Sequence, residues 1–159
     1  MREISIDGLR ALQYDEGDRL TAYKDGAGIW TIGTGHTGKV DGVPIRAGMT
    51  ITKAKSLELL REDVRIAENG VNYHVKRAIT QQQFDAFVNL AFNIGVGAFA
   101  GSTALREFNK GNTKKAGEAI GYWNKLRNPR TKQLEFSQGL ANRRVRNRRM
   151  FERGEYVTA

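Results

Sequence analysis

Apolar residues recur along this chain in more than one rhythm. Near the start Ile6, Leu9 and Leu12 fall three residues apart, which predicts a helix with one buried stripe, capped by Ser5 and stopped by Gly17. From Leu20 to Thr37 the texture changes. Tyr23, Ile29, Trp30, Thr31 and Ile32 favour strands, and Lys24-Asp25-Gly26-Ala27-Gly28 between them is turn chemistry, so a small twisted hairpin sheet is expected. Asp41-Gly42 and Pro44 punctuate a loop over residues 38–48. Thr52 then opens a long helical pattern through Ala54, Leu57, Leu60, Val64 and Ala67, running to about Tyr73.

The rest reads as helices. Thr80-Gln81-Gln82-Gln83 starts one whose face carries Phe84, Phe87, Val88, Ala91 and Phe92, with Gly95 and Gly97 at its end. Ser102 to Phe108 makes a short helix closed by Gly111. Asn112 or Thr113 caps another, through Ala116, Ala119, Ile120 and Trp123, stopping before Pro129. Gln138 to Glu152 is the last, ended by Gly154. The fold class is therefore α+β: a small N-terminal hairpin-sheet lobe over about residues 13–55 and a larger all-helical lobe from 1–12 and 74–159, joined by a long helix over 52–73. A cleft between two lobes suits an extended ligand.

Composition narrows the chemistry. Cysteine is absent, which removes a disulfide framework, thiolate metal sites and a cysteine nucleophile. Asp7, Gly8 and Arg10 interrupt the apolar residues of the first dozen positions, so neither a secretory signal nor a membrane span is expected there. The net charge of +9 implies an acidic partner, and Lys125 to Arg153 carries about ten basic residues against two acidic ones.

Three polar groups stand at an element end, a turn and a strand: Glu16, Asp25 and Thr31. A glycosidase needs a neutral carboxylic acid to protonate the leaving oxygen and a carboxylate on the other face of the sugar. A nearby hydroxyl can hold the attacking water. The spacing alone also suits a helix end, a turn aspartate and a strand threonine.

The surrounding motif resolves this. Asp15-Glu16-Gly17, then Leu20-x-Ala22-Tyr23-x-Asp25, then Gly28-x-Trp30-Thr31-Ile32-Gly33-x-Gly35-His36-Thr37 resembles the active-site segment of phage endolysins of the lysozyme type. The pattern of Glu, eight residues, Asp, five residues, Thr is met without gap. Thr80 to Ala86, Ala91-Phe92-Asn93-Ile94-Gly95, Trp123-Asn124-Lys125 and Gly139-Leu140-x-x-Arg143-Arg144 resemble that family's helical lobe. The resemblance implies a lysozyme-like fold and hydrolysis of the β-1,4 bond between N-acetylmuramic acid and N-acetylglucosamine in peptidoglycan. It assigns Glu16 as general acid, Asp25 as base or electrostatic partner and Thr31 as the holder of water on an inverting route. No metal or cofactor is implied. A general acid must keep its proton near neutrality; burial favours the neutral form of a carboxyl, and an arginine favours the charged one. In the matching pattern Arg143 lies where it can approach the glutamate.

Thr37, Phe92, Asn93, Ser102 and Thr103 are expected substrate contacts, with His36 and Arg143 in support. Core and capping roles stand beside these for Phe92, Asn93 and Ser102. His36 suits hydrogen bonding within the hairpin, because a zinc site needs three or four ligands and His74 is remote in sequence. Asp15 and Asp18 read as solvated helix-end charges. Asn142 to Arg149, dense in arginine, is either a solvated helix with Arg143 turned inward or a surface attracted to anionic lipopolysaccharide or wall polymer. Nucleic-acid binding suits the charge, yet no binding motif accompanies it and no nucleic-acid partner is expected. A lytic transglycosylase, a chitinase and a pure wall-binding module each account for part of the same pattern. The resemblance further implies a monomer held in the host cytoplasm until holin-made holes release it to the wall.

Overall fold

The computed structural model describes all 159 residues. They form two compact units, Met1–Gly8 with Ile66–Val157, and Leu9–Arg65 with Thr158–Ala159.

The smaller unit begins within α1 (Ile6–Glu16). The Ser5 hydroxyl accepts from the Gly8 N–H at 3.0 Å, the expected N-cap. Leu9 and Leu12 are fully buried, whereas Ile6 is 42% exposed and lies off the stripe. Three antiparallel strands follow in the order β1 (Arg19–Lys24), β2 (Trp30–Gly33), β3 (His36–Thr37). In the register, Thr31 faces Tyr23 on one side and Thr37 on the other. The segment expected as a loop holds a second hairpin, β4 (Lys39–Val40) with β5 (Val43–Pro44). Asp41 and Gly42 take positive φ of 49° and 80°, the backbone of a type I′ turn, for which Asp-Gly is a favoured pair. Two-residue strands, one ending in proline, leave no alternation to read.

The long helix expected over 52–73 is two helices, α2 (Lys53–Asp63) and α3 (Arg65–His74), parted at Val64. Leu60, Val64 and Ala67 are all buried across the break. The apolar rhythm reports burial and passes through a backbone irregularity unchanged. Ile32, Val40, Ile45 and Leu59 form a small hydrophobic cluster within this unit, flanked by Ala22, Trp30, Met49 and Ile51.

The larger unit is built around α4 (Gln81–Ile94), opened by a capping box between Thr80 and Gln83. Every residue from Phe84 to Ala91 is buried, so this helix is enclosed on all sides. Phe87 meets Phe99, Phe108 and Phe151 at ring separations of 5.2, 5.4 and 5.2 Å. Around it stand α5 (Val96–Ala100), α6 (Thr103–Asn109), α7 (Thr113–Ile120) and α8 (Gln138–Arg153). The expected helix beyond Ile120 gives way to a ribbon, β6 (Lys125–Arg127) with β7 (Leu134–Phe136), so this unit is not purely helical. All six strand residues are exposed, which leaves no buried periodicity in the sequence. Asn128 closes the turn by accepting from the N–H groups of Arg130 (2.8 Å) and Thr131 (3.2 Å). No helix is long and apolar enough to cross a membrane.

Candidate active site

Glu16, Asp25, Thr31, His36 and Thr37 all lie in the smaller unit. Glu16 is the last residue of α1, four positions after Leu12 and seven after Leu9, on the same helical face as those buried leucines. Gly17 follows with φ 84°, and its N–H closes the helix on the Gln13 carbonyl at 2.9 Å. That left-handed step costs glycine little, and it turns the chain straight from the glutamate into β1. Glu16 is exposed, so the shielding expected of a proton donor is not supplied by burial here.

Asp25 stands at the end of β1. Its Oδ1 accepts from the N–H groups of Ala27 at 2.8 Å and Ile29 at 2.9 Å, an Asx turn that fixes the plane of the carboxylate. Both partners bond to one oxygen, leaving Oδ2 outside the turn. Thr31 is 3% exposed, and its hydroxyl donates to the Ile29 carbonyl at 2.9 Å. With that proton committed, the oxygen offers only lone pairs to a further partner. Thr37, its neighbour in β3, is exposed.

His36 reaches beyond its own hairpin. Its Nδ1 lies 2.8 Å from an Asp63 carboxylate oxygen and its Nε2 lies 2.7 Å from the Lys39 carbonyl. Both partners are acceptors, so the ring satisfies both as a doubly protonated cation. Burial opposes that charge, but the Lys39 carbonyl and the Asp63 carboxylate outweigh it and raise the pKa above the ordinary 6.5. His36 thereby ties β3 to the end of α2.

Asp18, expected as a solvated charge, is exposed and is also a structural acceptor. Its Oδ1 takes hydrogen bonds from the Ser56 hydroxyl on α2 and from Thr34 at 3.4 Å, and so anchors the chain two residues after Glu16. Only residue type could hint at this, because Ser56 is 38 positions away.

Phe92, Asn93, Ser102, Thr103 and Arg143 lie in the larger unit. Phe92 is half-buried near the end of α4. The Asn93 side-chain oxygen accepts from Arg144. Ser102 is 3% exposed; it donates to Phe99 O at 2.7 Å and accepts from Leu105 N at 3.2 Å, which leaves a cap with little to offer a sugar. Thr103 opens α6 beside it, its hydroxyl accepting from Arg106 at 3.0 Å. Arg143 is buried and donates to Asn89 from Nη2 at 3.0 Å and from Nε at 3.3 Å.

The arginine-rich helix is not a bare cationic surface. Arg143 and Arg144 are interior, and Arg144 donates to Trp123 O and Asn147 Oδ1, each at 2.8 Å. Arg148 pairs with Glu152 at 3.2 Å. Two of the six arginines of α8 serve the inside of the unit, and Arg149 and Arg153 are exposed.

A helix-end glutamate and a turn-locked aspartate on an α+β scaffold are candidates for the two carboxyl groups that a glycoside hydrolase requires. A family model described as phage lysozyme matches residues 13–147. The endolysin of Salmonella phage P22 is 50% identical over 125 residues, 79% of this chain and 86% of that protein. The solved endolysin from Escherichia coli O157:H7 phage FAHEc1 superposes with a TM-score of 0.90 at 36% identity, covering 98% of this chain and 97% of that one. The muramidase domain of SpmX from Asticaccaulis excentricus superposes with a TM-score of 0.84 at 33% identity, over 96% and 99% of the two chains. The chain belongs to the phage lysozyme family. It is a lysozyme, a hydrolase whose substrate is bacterial peptidoglycan and whose place of action is the cell wall.

Proposed function

We propose that the chain cleaves the β-1,4 bond between N-acetylmuramic acid and N-acetylglucosamine with inversion, Glu16 giving its proton to the leaving oxygen. Asp25 is the base and Thr31 holds the water. The observation that carries this reading is how hydrogen bonds are divided in the β1–β2 turn. Asp25 spends one oxygen on two backbone N–H groups and keeps the other, and Thr31 has given its proton to Ile29. A water donating one proton to Thr31 and the other to Asp25 Oδ2 has a lone pair left for the anomeric carbon. As that carbon–oxygen bond forms, the proton facing Asp25 passes to it, and the glycosidic oxygen leaves with the proton of Glu16. Thr31 would have no such task if Asp25 attacked directly. Because Glu16 is exposed in the free protein, the glycan itself supplies the shielding of the acid.

Asn93 and Thr37 remain the candidate sugar contacts of the two units, with Phe92 beside Asn93. The protein acts as a monomer, made in the infected cell and passed to the wall through holin-made openings. Proton NMR of the first product tests the mechanism. The α anomer is the expected initial product, and an initial β anomer would rule out inversion.

A further inference from the structure

The β6–β7 ribbon takes no part in the chemistry above, and both its strands are exposed. Its register pairs Lys125 with Phe136 and Arg127 with Leu134. Directly paired residues project from the same face of an antiparallel ribbon. One face therefore sets two cations on β6 beside two apolar side chains on β7, and the other carries Leu126 and Glu135. Leu134 is 57% exposed and Phe136 61% exposed.

The cations are not neutralised. Lys125, Arg127, Arg130 and Lys132 make no ion pair; Arg127 donates to the Lys132 carbonyl, and Glu135, the one acid of the ribbon, accepts from Asn128 at 2.9 Å. A recess of ≈ 340 Å³ adjoins this face, lined by Tyr122, Trp123, Lys125 and Leu134 with Ser102 and Thr103. Tyr122 is 65% exposed.

We infer that this face of the ribbon docks on an anionic phospholipid surface, Lys125 and Arg127 against the headgroup phosphates and Leu134 and Phe136 at the acyl boundary. Charge complementarity selects this occupant: unpaired cations seek phosphate, and exposed leucine and phenylalanine beside tyrosine and tryptophan suit the boundary between headgroups and acyl chains. A polyanionic polymer would satisfy the cations and leave the apolar pair in water. An uncharged bilayer would leave the cations unmatched. Docked this way, the enzyme is held where membrane and wall face one another.

Vesicle sedimentation tests the inference. The protein should pellet with phosphatidylglycerol vesicles, stay in solution with phosphatidylcholine vesicles, and be released by salt. Leu134→Ser with Phe136→Ser, and separately Lys125→Glu with Arg127→Glu, should each weaken vesicle binding by about tenfold or more. Both pairs should clear lipid-free peptidoglycan at the wild-type rate, which also reports that they fold. In the wild-type chain, brominated lipids should quench the tryptophan emission, and Trp123→Phe should remove that quenching. Absence of binding to anionic vesicles, equal binding by the variants, or unquenched emission from vesicle-bound protein would overturn the inference. So would a matching loss of binding to lipid-free peptidoglycan or DNA, because the face would then serve a polymer.

Discussion

The two units hold their polar groups in contrasting ways. In the larger one, polar side chains sit inside the helical core and are satisfied by partners far along the chain. Asp85, fully buried, accepts from Ser5 N at 3.0 Å, Gln81 Nε2 at 2.8 Å and Tyr156 OH at 2.6 Å. Burial, with the Asp85 carboxylate beside it, pushes the Tyr156 phenol pKa upward, so this hydroxyl is a firm donor at any ordinary pH. In the smaller unit Ile32, Val40, Ile45 and Leu59 form one small cluster, and although Asp18 and His36 reach Ser56 and Asp63 on α2, the candidate groups Asp25 and Thr31 are held by short-range bonds. Asp25 bonds two and four residues ahead, and Thr31 bonds two residues back. Long-range networks fix one helical arrangement; short turns present a carboxylate without enclosing it. A site that must receive a polymer is better served by the second device.

Substitutions separate the two devices by size of effect. Phe87→Ala should cost the most, about 3–5 kcal/mol in chemical denaturation, because the ring fills the centre of the phenylalanine cluster. A loss below about 1 kcal/mol would mean that the larger unit does not rest on that cluster. Asp85→Ala should follow, at about 2–3 kcal/mol, since it strands Ser5, Gln81 and Tyr156 at once. Equal stability of this variant and wild type would remove the buried network from the comparison.

The smallest effect belongs to His36 and depends on pH. Its folded pKa is raised, so above about pH 6.5 the native state holds more protons than the unfolded chain. The contribution of His36 is complete below that pH and is lost as pH rises through the folded value. Thermal melts from pH 6 upward should show a decline that His36→Gln flattens. A stability that rises with pH over the same range and is unchanged by the variant would deny the imidazolium bridge between Lys39 and Asp63.

This contrast also explains what could be read from the residues alone. The turn around Asp25 is local chemistry, legible in the Asp-Gly-Ala-Gly run, whereas the roles proposed for Glu16, Asp25 and Thr31 rest on the motif that surrounds them and not on their spacing alone. The Ser5, Thr52, Thr80 and Ser102 caps are legible as local chemistry too. Asp85 with Tyr156, 71 residues apart, and Asp18 with Ser56 leave no such trace. Arginine density in α8 hides a second interior cation: Arg143 is expected inward and meets Asn89, but nothing in the run marks Arg144, which finds Asn147 and a backbone carbonyl inside. The β6–β7 ribbon escapes because burial is what creates periodicity, and nothing in its strands is buried.

The central claim is that one carboxyl at the end of α1 supplies the proton for glycan cleavage. Mass analysis of the fragments released from purified peptidoglycan by wild type and by Glu16→Gln, with melting curves for both, tests it most directly. The wild type should release fragments that have gained one water per cleaved bond. The variant should melt like the wild type and release them about a hundredfold to ten-thousandfold more slowly. A folded Glu16→Gln enzyme that digests at the wild-type rate, or wild-type fragments ending in an anhydro sugar, would contradict the account.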